Sequence, residues 1–235
     1  MVIYITGDTH GNFLRVKDFC SRMETSRDND TMIILGDAGL NFYLNKTDRK
    51  NKQQVNGFPI KFFCIHGNHE ERPYNIPTYE EVEYRGGVVY VEPEFPNIIF
   101  GKDGEVYDFD GIKCLVIGGA YSIDKEYRIL RNVPWFESEQ ASDEIKERVI
   151  KKLDELGWNI DVVLTHTVPL KYEPVEVFLP FIDQRKVDKT MEKWLEDIES
   201  KLDYKKWYAG HYHTAKKIDK LQIMYNDFDE LGLTN

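Results

Sequence analysis

Short, continuous apolar runs recur along this chain, and each opens into a polar turn that contains glycine or a lone histidine. Val2–Thr6 leads into Gly7-Asp8-Thr9-His10-Gly11, and Met32–Leu35 into Gly36-Asp37-Ala38-Gly39. Phe62–Ile65 leads into His66-Gly67-Asn68-His69-Glu70, Val162–Leu164 into Thr165-His166, and Trp207–Ala209 into Gly210-His211-Tyr212-His213. Apolar runs without alternation predict strands buried on both faces.

Helical periods fall between these runs. Asn12–Met23 carries a partial apolar face in Phe13, Val16 and Phe19. Ser142 is placed to cap a helix whose stripe is Ile145, Val149, Leu153 and Leu156, ended by Gly157. A third helix is expected from Val187 to Leu202, with Met191, Trp194 or Leu195, Ile198 and Leu202 facing inward. Val106–Phe109, Asp110-Gly111 and Ile112–Ile117 read as a hairpin, and residues 215–227 as a further strand pair. Segments 40–59, 70–87, 93–104, 127–141 and 168–186 read as loops, the last two as candidates to rim a pocket. Strands alternate with helices early and hairpins dominate late. That mixture predicts an α/β (α+β) arrangement of two packed sheets with helices outside. No repeat or linker divides residues 1–235, so one domain is expected.

Composition narrows the class. The 235 residues are 41% hydrophobic and 31% charged, ordinary for a globular protein. There is no apolar run long enough to span a membrane, and Met1 leads straight into Val2 without a basic and apolar leader. A cytoplasmic protein without membrane association is expected. Cys20, Cys64 and Cys114 form no close pair, which argues against disulfides and thiolate zinc. The formal charge of −10 would repel a long polyanion, so extended nucleic-acid binding is not expected.

The chemistry lies in the turns. Five of six histidines, His10, His69, His166, His211 and His213, stand at strand ends, with Asp8, Asp37 and Asn68 at equivalent points. His66, one residue before Gly67, is expected to point away. In a layered α/β fold such ends converge on one edge. Imidazole nitrogens, carboxylates and an amide oxygen without thiolate suit borderline divalent metals, with manganese first and iron, zinc or nickel as alternatives. Asp8, His10, Asp37, Asn68, His166, His211 and His213 exceed the four ligands of a tetrahedral zinc. They match two divalent metal ions sharing a carboxylate, roughly 3.5–4 Å apart.

The five ordered blocks, GDTHG at 7–11, GD at 36–37, GNHE at 67–70, His166 and GHYH at 210–213, resemble the calcineurin-like metallophosphoesterase superfamily. The resemblance implies a four-layer sandwich of two packed mixed β-sheets flanked by helices. It also implies phosphatase or phosphodiesterase chemistry. By the same resemblance, Asp8, His10 and His213 hold one metal, Asn68, His166 and His211 the other, and Asp37 bridges them. His69 would then protonate the leaving oxygen or stabilise the transition state.

One block departs from the pattern. Many members continue the second block to GDxxxRG, whereas this chain reads Gly36-Asp37-Ala38-Gly39-Leu40-Asn41. A phosphate-clamping arginine is therefore sought elsewhere, at Arg128, Arg131 or Arg72. Trp135 and Phe136 read as the packed anchor of a long loop, and Lys46–Gln54 as a solvated helix or loop face. The expected substrate is a small phosphorylated molecule or an exposed phosphate ester. The alternatives are a metal-containing scaffold or binding module without turnover, and a nuclease acting within a complex.

Overall fold

The computed structural model describes residues 1–233. Two sheets carry the fold. The first contains β1 (Val2–Thr6), β2 (Asp30–Ile34), β3 (Lys61–Cys64), β4 (Glu80–Tyr84), β5 (Gly87–Val91) and β6 (Ile98–Gly101), with β13 (Phe228–Glu230) returning at its edge. Its order is β13-β1-β2-β3-β6-β5-β4. The second contains β7 (Val106–Phe109), β8 (Ile112–Ile117), β9 (Val162–Thr165), β10 (Lys206–Ala209), β11 (Lys216–Ile218) and β12 (Leu221–Ile223), in the order β11-β12-β10-β9-β8-β7. Each sheet has four central parallel strands and antiparallel edges, so both sheets are mixed.

Alternate residues of each central strand face different layers. Ile3, Ile5, Ile33 and Phe63 meet Val116, Val162, Leu164 and Tyr208 between the sheets. On the outer face of the first sheet, Tyr4, Met32, Ile34 and Phe62 pack against α1 (Leu14–Met23) through Val16 and Phe19, and against α2 (Lys46–Asn56) through Val55. On the outer face of the second, Leu115, Val163 and Trp207 pack against α4 (Asp143–Glu155) and α5 (Thr190–Glu199). The result is a four-layer helix–sheet–sheet–helix sandwich, and the continuous apolar runs are strands buried on both faces. All three cysteines are free and buried. Among the described residues no helix is long and apolar enough to cross a membrane.

Several expected boundaries hold. Ser142 caps α4, accepting a hydrogen bond from the Ile145 backbone N–H. β7 and β8 form the expected hairpin, and β11 and β12 the expected pair. Helices α1 and α5 are shorter than expected, because Asn12 caps the Leu14 N–H and the segment before Thr190 turns instead.

Four of the expected loops hold regular elements. Segment 40–59 contains α2, whose buried face is one valine, Val55, together with Asp48 and Lys52. The Lys52 ammonium pairs with Glu92 and lies 4.9 Å over the Tyr79 ring. Lys46–Gln54 is therefore not wholly a solvated face. Segment 70–87 contains β4, an exposed edge strand in which Glu80, Glu81 and Glu83 discourage further pairing. Segment 93–104 contains β6, four buried residues inserted beside β3. A further helix, α3 (Lys125–Arg131), buries none of its residues and occupies the start of 127–141. Only 168–186 stays without α-helix or strand, turning through short 3-10 segments.

Candidate metal centre

The parallel strands of both sheets end on one edge, and five of them deliver the residues singled out above. β1 ends before Asp8 and His10, β2 before Asp37, β3 before Asn68 and His69, β9 before His166, and β10 before His211 and His213. The turns lock to one another. The His10 N–H donates to the Asp37 carbonyl at 2.8 Å, and the Gly210 N–H to the His166 carbonyl at 2.9 Å. His10, Asp37, His211 and His213 all adopt positive φ, between 46° and 68°. That backbone is uncommon for residues with a Cβ, and strain of this kind gathers at functional sites.

Two glycines make the close approach possible. A Cβ on Gly67 would stand 2.0 Å from Asp37 Oδ1, and one on Gly36 would stand 2.1 Å from His166 Nδ1. Both positions must therefore lack a side chain for the neighbouring strand's functional group to pass.

Asp8, His10 and His213 form one group, with donor atoms within 4.8 Å of one another. The Nε2 atoms of His10 and His213 face each other at 2.8 Å. Asp8 Oδ2 lies 3.3 Å from His213 Nε2 and 3.7 Å from His10 Nε2. That oxygen is buried and has no hydrogen-bond partner among the described residues. A buried carboxylate oxygen without a partner is costly, and a cation shared with the two imidazoles satisfies it.

Asn68, His166 and His211 form the other group. Asn68 Nδ2 donates to Ser122 Oγ at 2.8 Å, which turns Oδ1 towards His166 Nε2 at 2.8 Å and His211 Nδ1 at 3.1 Å. His166 Nδ1 donates to the Leu35 carbonyl at 2.7 Å, which turns its Nε2 towards Asn68 and Asp37. Asp37 stands between the groups. Its Oδ2 is 3.6 Å from His166 Nε2, 3.9 Å from His10 Nδ1 and 4.0 Å from His69 Nε2, while Oδ1 accepts the His69 N–H at 2.8 Å. Asp8, Asp37 and His166 also bring donor atoms within 4.8 Å of one another, and the donor set, oxygen and nitrogen without sulfur, suits divalent ions.

Burial alone would raise the Asp37 carboxyl, but His166, His69 and His10 hold it well below its ordinary value. Burial also opposes charge on His166, yet Asp37 and Asp8 lift it to about 9. His211, buried beside His166, is pushed down to about 3. The carboxylates are thus set as anions beside a protonated His166 and a neutral His211, and a cation at His166 would replace that proton.

The remaining candidates separate. His69 is half-buried beside the ligands and touches Asn68 Nδ2 at 3.3 Å. Arg128 brings Nη2 to 3.5 Å from His69 Nε2. Arg131 is exposed and stacks 5.9 Å over Tyr127 instead. Arg72 does not reach the site. It is 1% exposed, paired with Asp103 and donating to the Ser138 carbonyl. His66 stays out of both ligand groups, its ring nitrogens buried without partners among the described residues. Phe136 is buried, as an anchor would be, and Trp135 donates to Glu139.

Three supporting residues escaped the sequence reading. Arg15 holds the Gly7 and Asp8 carbonyls at 2.9 Å, Glu70 accepts the Gly39 N–H at 2.7 Å, and Ser122 orients Asn68. Only Glu70 carried a sequence signal, its place in the GNHE block.

Two clefts meet at the centre. One, of about 360 Å³, is bounded by Phe42, Tyr43, Thr47, Asn51 and Arg128, and reaches His10, Asp37 and His69. The other, of about 470 Å³, has Ile123, Val177, Phe178 and Leu179 along one side, and reaches Asp37, Asn68, His69, His211 and His213. Part of segment 168–186 therefore does rim the site.

The sequence model for "Calcineurin-like phosphoesterase" matches residues 1–215. No curated protein matches the chain. Among solved structures, the crystal structure of phosphopantetheinyl hydrolase (PptH) from Mycobacterium tuberculosis is similar. Its identity is 17% over 95% of this chain and 88% of that one, with a TM-score of 0.41.

Proposed function

The chain belongs to the calcineurin-like phosphoesterase family, and on that footing we propose that it hydrolyses phosphate esters at a centre for two divalent ions. One observation carries the reading. Asp37 Oδ2 lies within 4.0 Å of His10, His69 and His166 nitrogens, between the Asp8–His10–His213 and Asn68–His166–His211 groups. When bound, the two ions supply Lewis acidity and a nucleophilic water for in-line attack on phosphorus.

In this reading Asp8, His10 and His213 hold one ion, Asn68, His166 and His211 the other, and Asp37 both. Leu35 fixes the His166 ring through Nδ1, which keeps Nε2 as a ligand. His69 faces the reacting phosphoryl group without ligating, and gives a proton to the leaving oxygen. Arg128 takes the place of the arginine missing after Asp37. Its Nε is held by both Asp124 oxygens at 2.8 Å, which aims the rest of the fork towards His69. Manganese is the first choice of metal, with iron, zinc or nickel suiting the same donors. Three free, buried cysteines accord with a reducing compartment, and small phosphorylated substrates in the cytoplasm are the natural targets.

The test is hydrolysis of an aryl phosphate monoester and its diester by metal-stripped protein given back manganese, nickel, zinc or magnesium. His69→Ala and Asp37→Asn are each expected to lose on the order of 100-fold or more in kcat. Binding of two ions with no turnover of either ester would overturn the reading in favour of a binding module.

A further inference from the structure

The two clefts share lining residues, and one ion pair has a member in each. Asp124 lines the larger cleft and Arg128 the smaller, and the two are joined through the Nε of Arg128 at the start of α3. His69 and Asp37 line both clefts and so mark where they meet. A phosphoryl group seated against Asp37, His69 and Arg128 therefore has one organic-sized space on each side. Both volumes fall within the range of small-molecule sites, which runs from about 300 to 1,000 Å³.

Both clefts mix polar and apolar walls, and in the larger one Gln184, Asp188 and Lys189 stand beside the apolar side chains. In the smaller cleft Phe42 and Tyr43 meet edge to face at 4.7 Å, beside Thr47 and Asn51. Aromatic faces beside an amide and a hydroxyl receive a planar group that makes hydrogen bonds. In the larger cleft Ile123, Val177 and Leu179 keep 44%, 41% and 44% of their surface open. Phe178 stacks beside Tyr212 at 6.1 Å, between the ligands His211 and His213. Apolar side chains left open along a groove that runs into a reaction centre gain by covering with an apolar ligand.

We propose that the substrate is a phosphodiester with unlike arms, a planar polar arm in the Phe42–Asn51 cleft and an extended apolar arm along Ile123, Val177, Phe178 and Leu179. This rests on the phosphoesterase reading above. Hydrolysis adds water across one P–O bond. The leaving oxygen takes a proton from His69, and the phosphoryl group stays on the other arm as a monoester. A monoester would fill only one of the two spaces.

The measurement is kcat/KM of the manganese-loaded protein on 4-nitrophenyl phosphate and on its methyl, butyl and octyl diesters. The octyl diester is expected to exceed the methyl diester at least ten-fold, through KM. Leu179→Ser and Val177→Ser are expected to cut that ratio about ten-fold, and Tyr43→Ala to raise KM for every nitrophenyl diester. Turnover of the esters with no dependence on chain length overturns the inference and leaves the phosphoesterase reading standing. The same split follows if the monoester is preferred to all diesters. No turnover of any ester overturns both.

Discussion

Arg128 brings Nη2 to 3.5 Å from Nε2 of His69, and Asp124 holds the guanidinium in that direction. The clamp role predicts that Arg128→Lys raises KM roughly ten-fold with a smaller change in kcat, because an ammonium does not reproduce the planar fork. Asp124→Asn weakens the support and is expected to shift KM in the same direction by less. Steady-state kinetics on one ester decides it. An unchanged KM in Arg128→Lys returns Arg128 to a surface role.

Arg72, although next but two to His69, is a structural residue whose partner is Asp103. Arg72→Met strands that carboxylate in the interior, where among the described residues Asp103 otherwise keeps only the Gly118 N–H. The expected cost is roughly 3–5 kcal/mol, a fall in Tm on the order of 10 °C for a chain of this size. Calorimetry measures it. KM is expected to stay within two-fold, measured well below the new Tm.

Gly67→Ala tests the interlocking of the turns. The added methyl would meet Asp37 Oδ1 at 2.0 Å, so the carboxylate must move. The expected result is loss of at least one of two bound metal equivalents, read by elemental analysis, with far-ultraviolet circular dichroism unchanged. Full metal content in this variant would separate Asp37 from the ligands.

Glu192 gives a prediction in pH. Burial raises its carboxyl from 4.5 to about 7, although Thr167 donates a hydrogen bond to it. Between those values the folded protein binds a proton that the unfolded chain has released. Stability is therefore lost as pH rises from 4.5 towards 7, by on the order of 3 kcal/mol, and is level above. Glu192→Gln has no such loss. Its Tm relative to the parent is expected to rise between pH 5 and pH 8, and a difference that shrinks over that range would contradict the assignment.

The site was more legible than the frame around it, for physical reasons. Strands buried on both faces cannot hide, since Ile33, Phe63 and Leu164 leave no polar alternation. The turns that follow them carry residue types that make little sense except together. Two missed elements have few apolar residues, and a third, β6, is an apolar run of only Ile98, Ile99 and Phe100 closed by Gly101. Helix α2 buries Val55 with Asp48 and Lys52, and in β4 only Val82 and Tyr84 interrupt the glutamates. Arg72 misled because nearness along the chain does not fix direction: after His69 the backbone turns, and the guanidinium leaves for Asp103. Ser122 and Arg15 act only through contacts that the tertiary fold creates, and no spacing announces them.

The last strand carries a further consequence. β13 closes the open edge of β1, with the Leu231 N–H on the Ile3 carbonyl and Thr6 Oγ1 on the Asp227 carbonyl. β1 presents Asp8 and His10, and the strand that completes its pairing lies 221 residues further along the chain. During synthesis the nascent protein would leave that edge bare, a target for chaperones and for mispairing. Completion of the edge that carries Asp8 and His10 is therefore a long-range event, placed late in folding by the topology alone.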